Sequence, residues 1–262
     1  MTSFNPNNIR ALILDMDGVL WKGDALIADL SPIFDEIKRL GLGVIMATNN
    51  STRTPAQYIE KFRSYGVELK GWRVINSAEA TAQYLSGIYP EGGPVYVVGE
   101  SGLVEALEAK GFTISEEAVL AVVAGMDRHI NYAKIMQASK LIRAGARFIG
   151  TNPDRTFPTP NGEVPGAGTM LAAIGASLDI SPTVIGKPEP IIYQIALERL
   201  GTKPEETLMV GDRLETDIAG AQNVGCPVAL VLSGVTSLDE AQAWRPEVDI
   251  IAEDLTSLLK LL

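Results

Sequence analysis

The run Leu12-Ile13-Leu14-Asp15-Met16-Asp17-Gly18-Val19-Leu20-Trp21 places two carboxylates, one residue apart, where an apolar strand ends on a glycine turn. Side chains alternate along a strand, so Asp15 and Asp17 share one side if the strand stays extended that far. Gly18 then lets the backbone turn sharply. Carboxylates held this close repel, and a divalent cation or a shared proton relieves them. The pair therefore predicts a metal, Mg²⁺, beside a nucleophile suited to an electrophilic centre. The plain alternative is a strand followed by an Asp-Gly turn.

Three other segments fit the same chemistry. Thr48-Asn49-Asn50-Ser51 follows the apolar run from Gly43 and offers a hydroxyl, amides and turn donors to phosphate oxygens, although such residues also serve as ordinary helix caps. In Gly186-Lys187-Pro188, Lys187 is a point charge ahead of a helix, whereas most isolated lysines are simply solvated. Gly211-Asp212-Arg213-Leu214-Glu215-Thr216-Asp217 ends a strand, with Asp212 placed as a further metal ligand and Asp217 able to reach back from the next helix. Acids at a helix N-terminus have the same appearance. The order of the four segments is what argues against coincidence.

The remaining chemistry is thin. The one histidine, His129, lies in a polar stretch and reads as solvent-facing, and the one cysteine, Cys226, reads as buried in a strand. Disulfides within the chain, multi-cysteine metal sites and Cys-x5-Arg phosphatase chemistry are excluded, the last because Leu232 stands where the arginine would be. No Gly-x4-Gly-Lys-Ser/Thr loop occurs. Pro165-Gly166-Ala167-Gly168 fails the dinucleotide pattern at Leu171 and is expected to follow no strand. Its glycines instead suit backbone donors at a helix N-terminus. Arg53 and Arg213 read as structural.

Positioning these residues takes an α/β fold. The 262 residues are 46% hydrophobic and 21% charged, with a net charge of -10, which argues against a nucleic-acid surface but permits a small anionic substrate. No apolar run reaches membrane-spanning length, and a cytoplasmic protein is expected. Strands alternate with helices. Expected strands are 10–15, 43–48, 74–75, 207–210 and 227–232, with helices 30–40, 55–66, 77–85 (Ser77 as N-cap), 190–200 and 217–224. A second set comprises strands 95–98, 119–124 and 147–149 with helices 101–110, 131–144 and 169–178. Turn-rich 89–94 and Ser181-Pro182 suggest a core of 1–80 and 183–262 with an insert at 81–182.

The sequence resembles the haloacid dehalogenase superfamily, through Asp15-Met16-Asp17-Gly18, Thr48, Lys187, and Gly211-Asp212 with Asp217. Asp17-Gly18-Val19-Leu20-Trp21, Thr48-Asn49-Asn50-Ser51, Gly186-Lys187-Pro188-Glu189-Pro190, Thr151-Asn152-Pro153-Asp154 and Pro165-Gly166-Ala167-Gly168-Thr169 are similar to its class IIA, the NagD and para-nitrophenyl phosphatase group. The resemblance implies a Rossmann-like core with an α/β cap and Mg²⁺-dependent hydrolysis of small phosphorylated metabolites through an aspartyl-phosphate. It implies Asp15 as nucleophile and Asp17 as acid and base. The metal would be held by Asp15, Asp17 (through its backbone carbonyl) and Asp212. Thr48, Asn49, Lys187 and Gly18 would line the phosphate, and Asp217 would orient Lys187 or a water. Trp21 and Gly23 would lie in a mobile, cap-closing segment, unless Trp21 packs on the core. The family also leaves room for a homodimer through the cap. A phosphotransferase, a sugar-phosphate mutase or a non-catalytic phosphometabolite-binding module are the alternatives on the same core; a dehalogenase would not need Asp17.

Overall fold

The strand Ala11–Leu14 is apolar at every position and buried on both faces, as a central parallel strand must be. In the computed structural model, which describes residues 4–159 and 162–262, it pairs in parallel with Gly43–Thr48 on one side and Thr207–Gly211 on the other. The six-stranded sheet runs Ile250–Ala252, Val228–Val231, Thr207–Gly211, Ala11–Leu14, Gly43–Thr48, Val74–Asn76. The C-terminal ends of its four middle strands therefore lie side by side. In open α/β sheets this edge is where ligands bind. Helix Leu30–Arg39 buries Leu30, Ile33 and Ile37 in the core beneath, and helix Pro190–Leu200 packs against Gly43–Thr48.

The chain divides into two units. One comprises 1–48, 55–75 and 187–262; the other comprises 49–54 and 76–186. The second unit has its own five-stranded parallel sheet, ordered Thr183–Val184, Arg147–Gly150, Ala121–Ala124, Gly93–Val98, Phe112–Ile114, and its own apolar core around Val98, Val122, Phe148 and Ile174. The short segment 49–54 is tied into this unit. Ser77 Oγ and Asn152 Nδ2 both donate to the Asn49 carbonyl at 2.6 Å, and Asn76 Nδ2 donates to the Arg53 carbonyl at 2.6 Å. Gly102 lies so close to the backbone of Ser51 and Thr52 that a Cβ would not fit.

Several expectations are corrected. The first strand stops at Leu14, because the Met16 carbonyl gathers the N–H groups of Val19, Leu20 and Trp21 into a turn, so Asp15 and Asp17 do not leave an extended strand together. The cap of helix Ser77–Ile88 is Asn76, whose side chain accepts from Glu79 N, rather than Ser77. A strand, Gly162–Pro165, does precede Gly166, but it belongs to an antiparallel hairpin with Thr156–Thr159 and feeds no dinucleotide turn. Trp21 is buried in a two-residue hairpin with Ala25–Leu26. It packs on Phe62 with ring centroids 5.2 Å apart, beneath the Lys61 ammonium at 4.2 Å. Lys61 Nζ also donates to the Gly23 carbonyl at 2.7 Å, so core packing is what Trp21 does here. His129 is exposed and Cys226 buried. Among the described residues no helix is long and apolar enough to cross a membrane.

Candidate active site

Asp15 is the first residue beyond the strand Ala11–Leu14, and its N–H still bonds to the Val210 carbonyl at 2.9 Å, which fixes it to the sheet edge. Its Oδ1 accepts from Lys187 Nζ at 2.5 Å. Lys187 also donates to the Ala47 carbonyl at 2.9 Å and lies 2.8 Å from Asp217 Oδ1. The Asp217 contact is an ion pair rather than a well-aligned hydrogen bond. Three acceptors thus surround a three-proton ammonium that is buried in the protein.

Asp217 is carried by a wide turn, Leu214–Ile218, in which Asp217 N and Ile218 N both donate to the Arg213 carbonyl. Such π-type turns re-aim side chains at functional sites. The turn precedes helix Ala219–Asn223, so the helix expected from Asp217 begins later and Asp217 sits in the turn. Asp217 Oδ2 accepts from the N–H groups of Asp212 and Arg213, and Tyr193 Oη braces the turn from helix Pro190–Leu200 through the Thr216 carbonyl at 2.8 Å. Gly211 has no room for a Cβ against Asp217.

Asp15, Asp212 and Asp217 are all buried, each with a potential ligand atom within 4.8 Å of the others. The carboxylate of Asp17 is outside this group, and the residue is half-buried. Thr48 closes its strand, buried, while Gly18, at φ 89°, would clash with Asp212 if it carried a Cβ. Asn49 falls in the other unit, where its Nδ2 donates to both carboxylate oxygens of Asp154 at 3.1–3.2 Å. The donors expected from the glycine-rich segment are spent within that unit: Gly166 N donates to the Arg155 carbonyl and Gly168 N to the Asp154 carbonyl. The residues that sequence reasoning missed are Tyr193 and the loop Ser233–Thr236, which contacts Asp212 and Gly18.

Electrostatically the site is short of positive charge, with three carboxylates sharing one ammonium. Burial lifts the Asp15 carboxyl well above its usual range, Lys187 opposing and Asp217 and Asp212 adding to the rise. Burial and then the Asp217 charge push Asp212 up to about 7, against Arg213 and the Val235 N–H. Burial works against the Lys187 ammonium, but Asp15 and Asp217 outweigh it and hold the proton more firmly than usual. Among the described residues, Asp212 Oδ1 is buried without a hydrogen-bond partner. An orphaned carboxylate oxygen in an over-acidic pocket suits a divalent cation.

A family model of haloacid dehalogenase-like hydrolases matches residues 9–225. An acid sugar phosphatase of Staphylococcus aureus is 41% identical over 234 residues, 89% of this chain and 90% of that one. Among solved structures, a p-nitrophenyl phosphatase from Archaeoglobus fulgidus superposes with a TM-score of 0.91 at 31% identity, covering 97% of this chain and 99% of its own. NagD from E. coli K-12 does so with a TM-score of 0.87 at 33% identity, covering 94% and 97%. The sheet, the strand-end carboxylates and these matches define a hydrolase of phosphate esters: the chain belongs to the haloacid dehalogenase-like hydrolase family. Within it, the chain is a phosphatase of the NagD and para-nitrophenyl phosphatase group, acting on small phosphorylated substrates.

Proposed function

We propose that this phosphatase hydrolyses phosphomonoesters of small metabolites by transferring the phosphoryl group to Asp15. The observation that carries this reading is the buried Asp15 carboxylate, oriented through one oxygen by Lys187 and so able to present the other to phosphorus. Attack forms an Asp15–phosphorus bond as the ester oxygen leaves, which splits one difficult displacement into two. Asp17 protonates that oxygen and then takes a proton from the water that cleaves the acyl-phosphate. Lys187 and Thr48, with the Gly18 turn, hold phosphoryl oxygens as charge spreads over them. Asp217 keeps Lys187 in place.

In this reading the carboxylates of Asp15 and Asp212 and the Asp17 backbone carbonyl would hold Mg²⁺, which would supply charge neutralisation at the phosphoryl oxygens. The inserted segment, about 81–182, acts as the specificity domain. Sugar phosphates are the favoured substrates, on the strength of the acid sugar phosphatase relative. A homodimer through the insert would use a face on which Tyr132 and Met136 stand exposed.

The test is phosphate release from para-nitrophenyl phosphate with and without Mg²⁺. Asp15→Asn is expected to abolish it with the fold intact. Asp17→Asn should leave a phosphorylated Asp15 peptide in acid-quenched samples. Activity retained by pure Asp15→Asn protein overturns the assignment.

A further inference from the structure

Asp212 is gripped from one side. The Val235 N–H donates to Asp212 Oδ2 at 3.0 Å, the Thr236 hydroxyl donates to the Asp212 backbone carbonyl at 2.6 Å, and Ser233 Oγ donates to the Gly18 carbonyl at 2.7 Å. A Cβ on Gly234 would overlap the Asp212 carboxylate, as would one on Gly18, so the side chain is wedged between two glycines. Oδ2 is therefore committed, while Oδ1 is buried without a partner. Asp15 is held in the same manner, its Oδ1 taken by Lys187. Both oxygens of Asp217 are engaged.

We propose that the loop Ser233–Thr236 is a positioning element that limits Asp212 to one-oxygen coordination and thereby makes the site prefer a small octahedral cation over calcium. The inference rests on the Mg²⁺ reading given above and deepens it. Calcium gathers about six to eight oxygens and often takes a carboxylate through both, whereas magnesium accepts about six in a tight octahedron, one oxygen from each carboxylate. A carboxylate that cannot rock, with one oxygen already bonded to a backbone N–H, meets the second requirement and fails the first. No residue of the loop has to touch the ion.

Isothermal titration of the metal-free full chain with MgCl₂ and with CaCl₂ tests this, with thermal shifts as a second readout. The wild type should bind Mg²⁺ more tightly than Ca²⁺. Val235→Pro deletes the donor N–H and should weaken Mg²⁺ binding about tenfold while Ca²⁺ binding holds or tightens, so that the preference collapses. Val235→Ala keeps the N–H and should keep the preference, since the valine side chain is largely in solvent, at 61% exposure. If Val235→Pro does not fold, Thr236→Val, which releases the loop from the Asp212 carbonyl, decides by the same ratio. An unchanged ratio, an equal loss for both ions, or a wild type that binds both alike overturns the inference. A wild type that binds neither ion removes the Mg²⁺ reading itself and the inference with it.

Discussion

Replacing Asp212 with Asn should make the metal-free protein more stable while removing its response to Mg²⁺. In the folded chain the Asp212 carboxyl titrates at about 7 instead of 3.8. Between those values the native state holds a proton that the unfolded chain has lost, so stability falls as pH rises through the window and the full penalty stands above pH 7. The displacement corresponds to about 4 kcal/mol at most, and relaxation around a buried group brings the expected effect to about 2–4 kcal/mol. Asparagine removes the charge and keeps an oxygen for the Val235 N–H. Melting followed by circular dichroism in chelator at pH 8 should place Asp212→Asn about 4–10 °C above wild type. At pH 5.5 the gap should narrow by about 2 kcal/mol, because wild-type Asp212 is then protonated. Added Mg²⁺ should raise the wild type and not the variant. A variant no more stable than wild type at pH 8, or a gap that does not change with pH, refutes the electrostatic account of the site.

Lys187→Met strands the Asp15, Asp217 and Ala47 acceptors and should cost about 3–5 kcal/mol in urea titrations, with activity lost as well. Gly18→Ala forces a side chain into the Asp212 carboxylate at a positive φ, and should abolish the thermal shift produced by Mg²⁺. Tyr193→Phe removes the brace on the Leu214–Ile218 turn; we expect a loss of about 1–2 kcal/mol and a lower kcat with KM little changed, both measurable on the same preparation.

The parts legible in the sequence are those written in local pattern. Gly43–Thr48 and Pro190–Leu200 were readable to the residue, the first from an unbroken apolar run and the second from a helical stretch opened by a proline. Asp15, Lys187, Asp212 and Asp217 announce themselves by their place after strands or before a helix. Ser233–Thr236 does not, because a Ser-Gly-Val-Thr turn is ordinary until sheet order sets Val228–Val231 beside Thr207–Gly211. Tyr193 is a buried aromatic like any other until its hydroxyl meets the Thr216 carbonyl. Asn76 and Ser77 are adjacent and equally able to cap, and only the backbone geometry decides between them. The hairpin Thr156–Thr159 with Gly162–Pro165 is hidden by its two prolines, which speak against strands. Ser237 and Glu240 spell a capping box for helix Leu238–Ala243, a signal open to a closer reading.

The segment 49–54 bears on how this enzyme can be rebuilt. Its hydrogen bonds run to Ser77, Asn76 and Asn152, so excising 76–186 alone would strip the Asn49 carbonyl of both donors one residue after Thr48. A chimera that exchanges this unit between relatives would have to transplant two stretches of chain, 49–54 together with 76–186, and any library restricted to the longer stretch would carry mismatched seams.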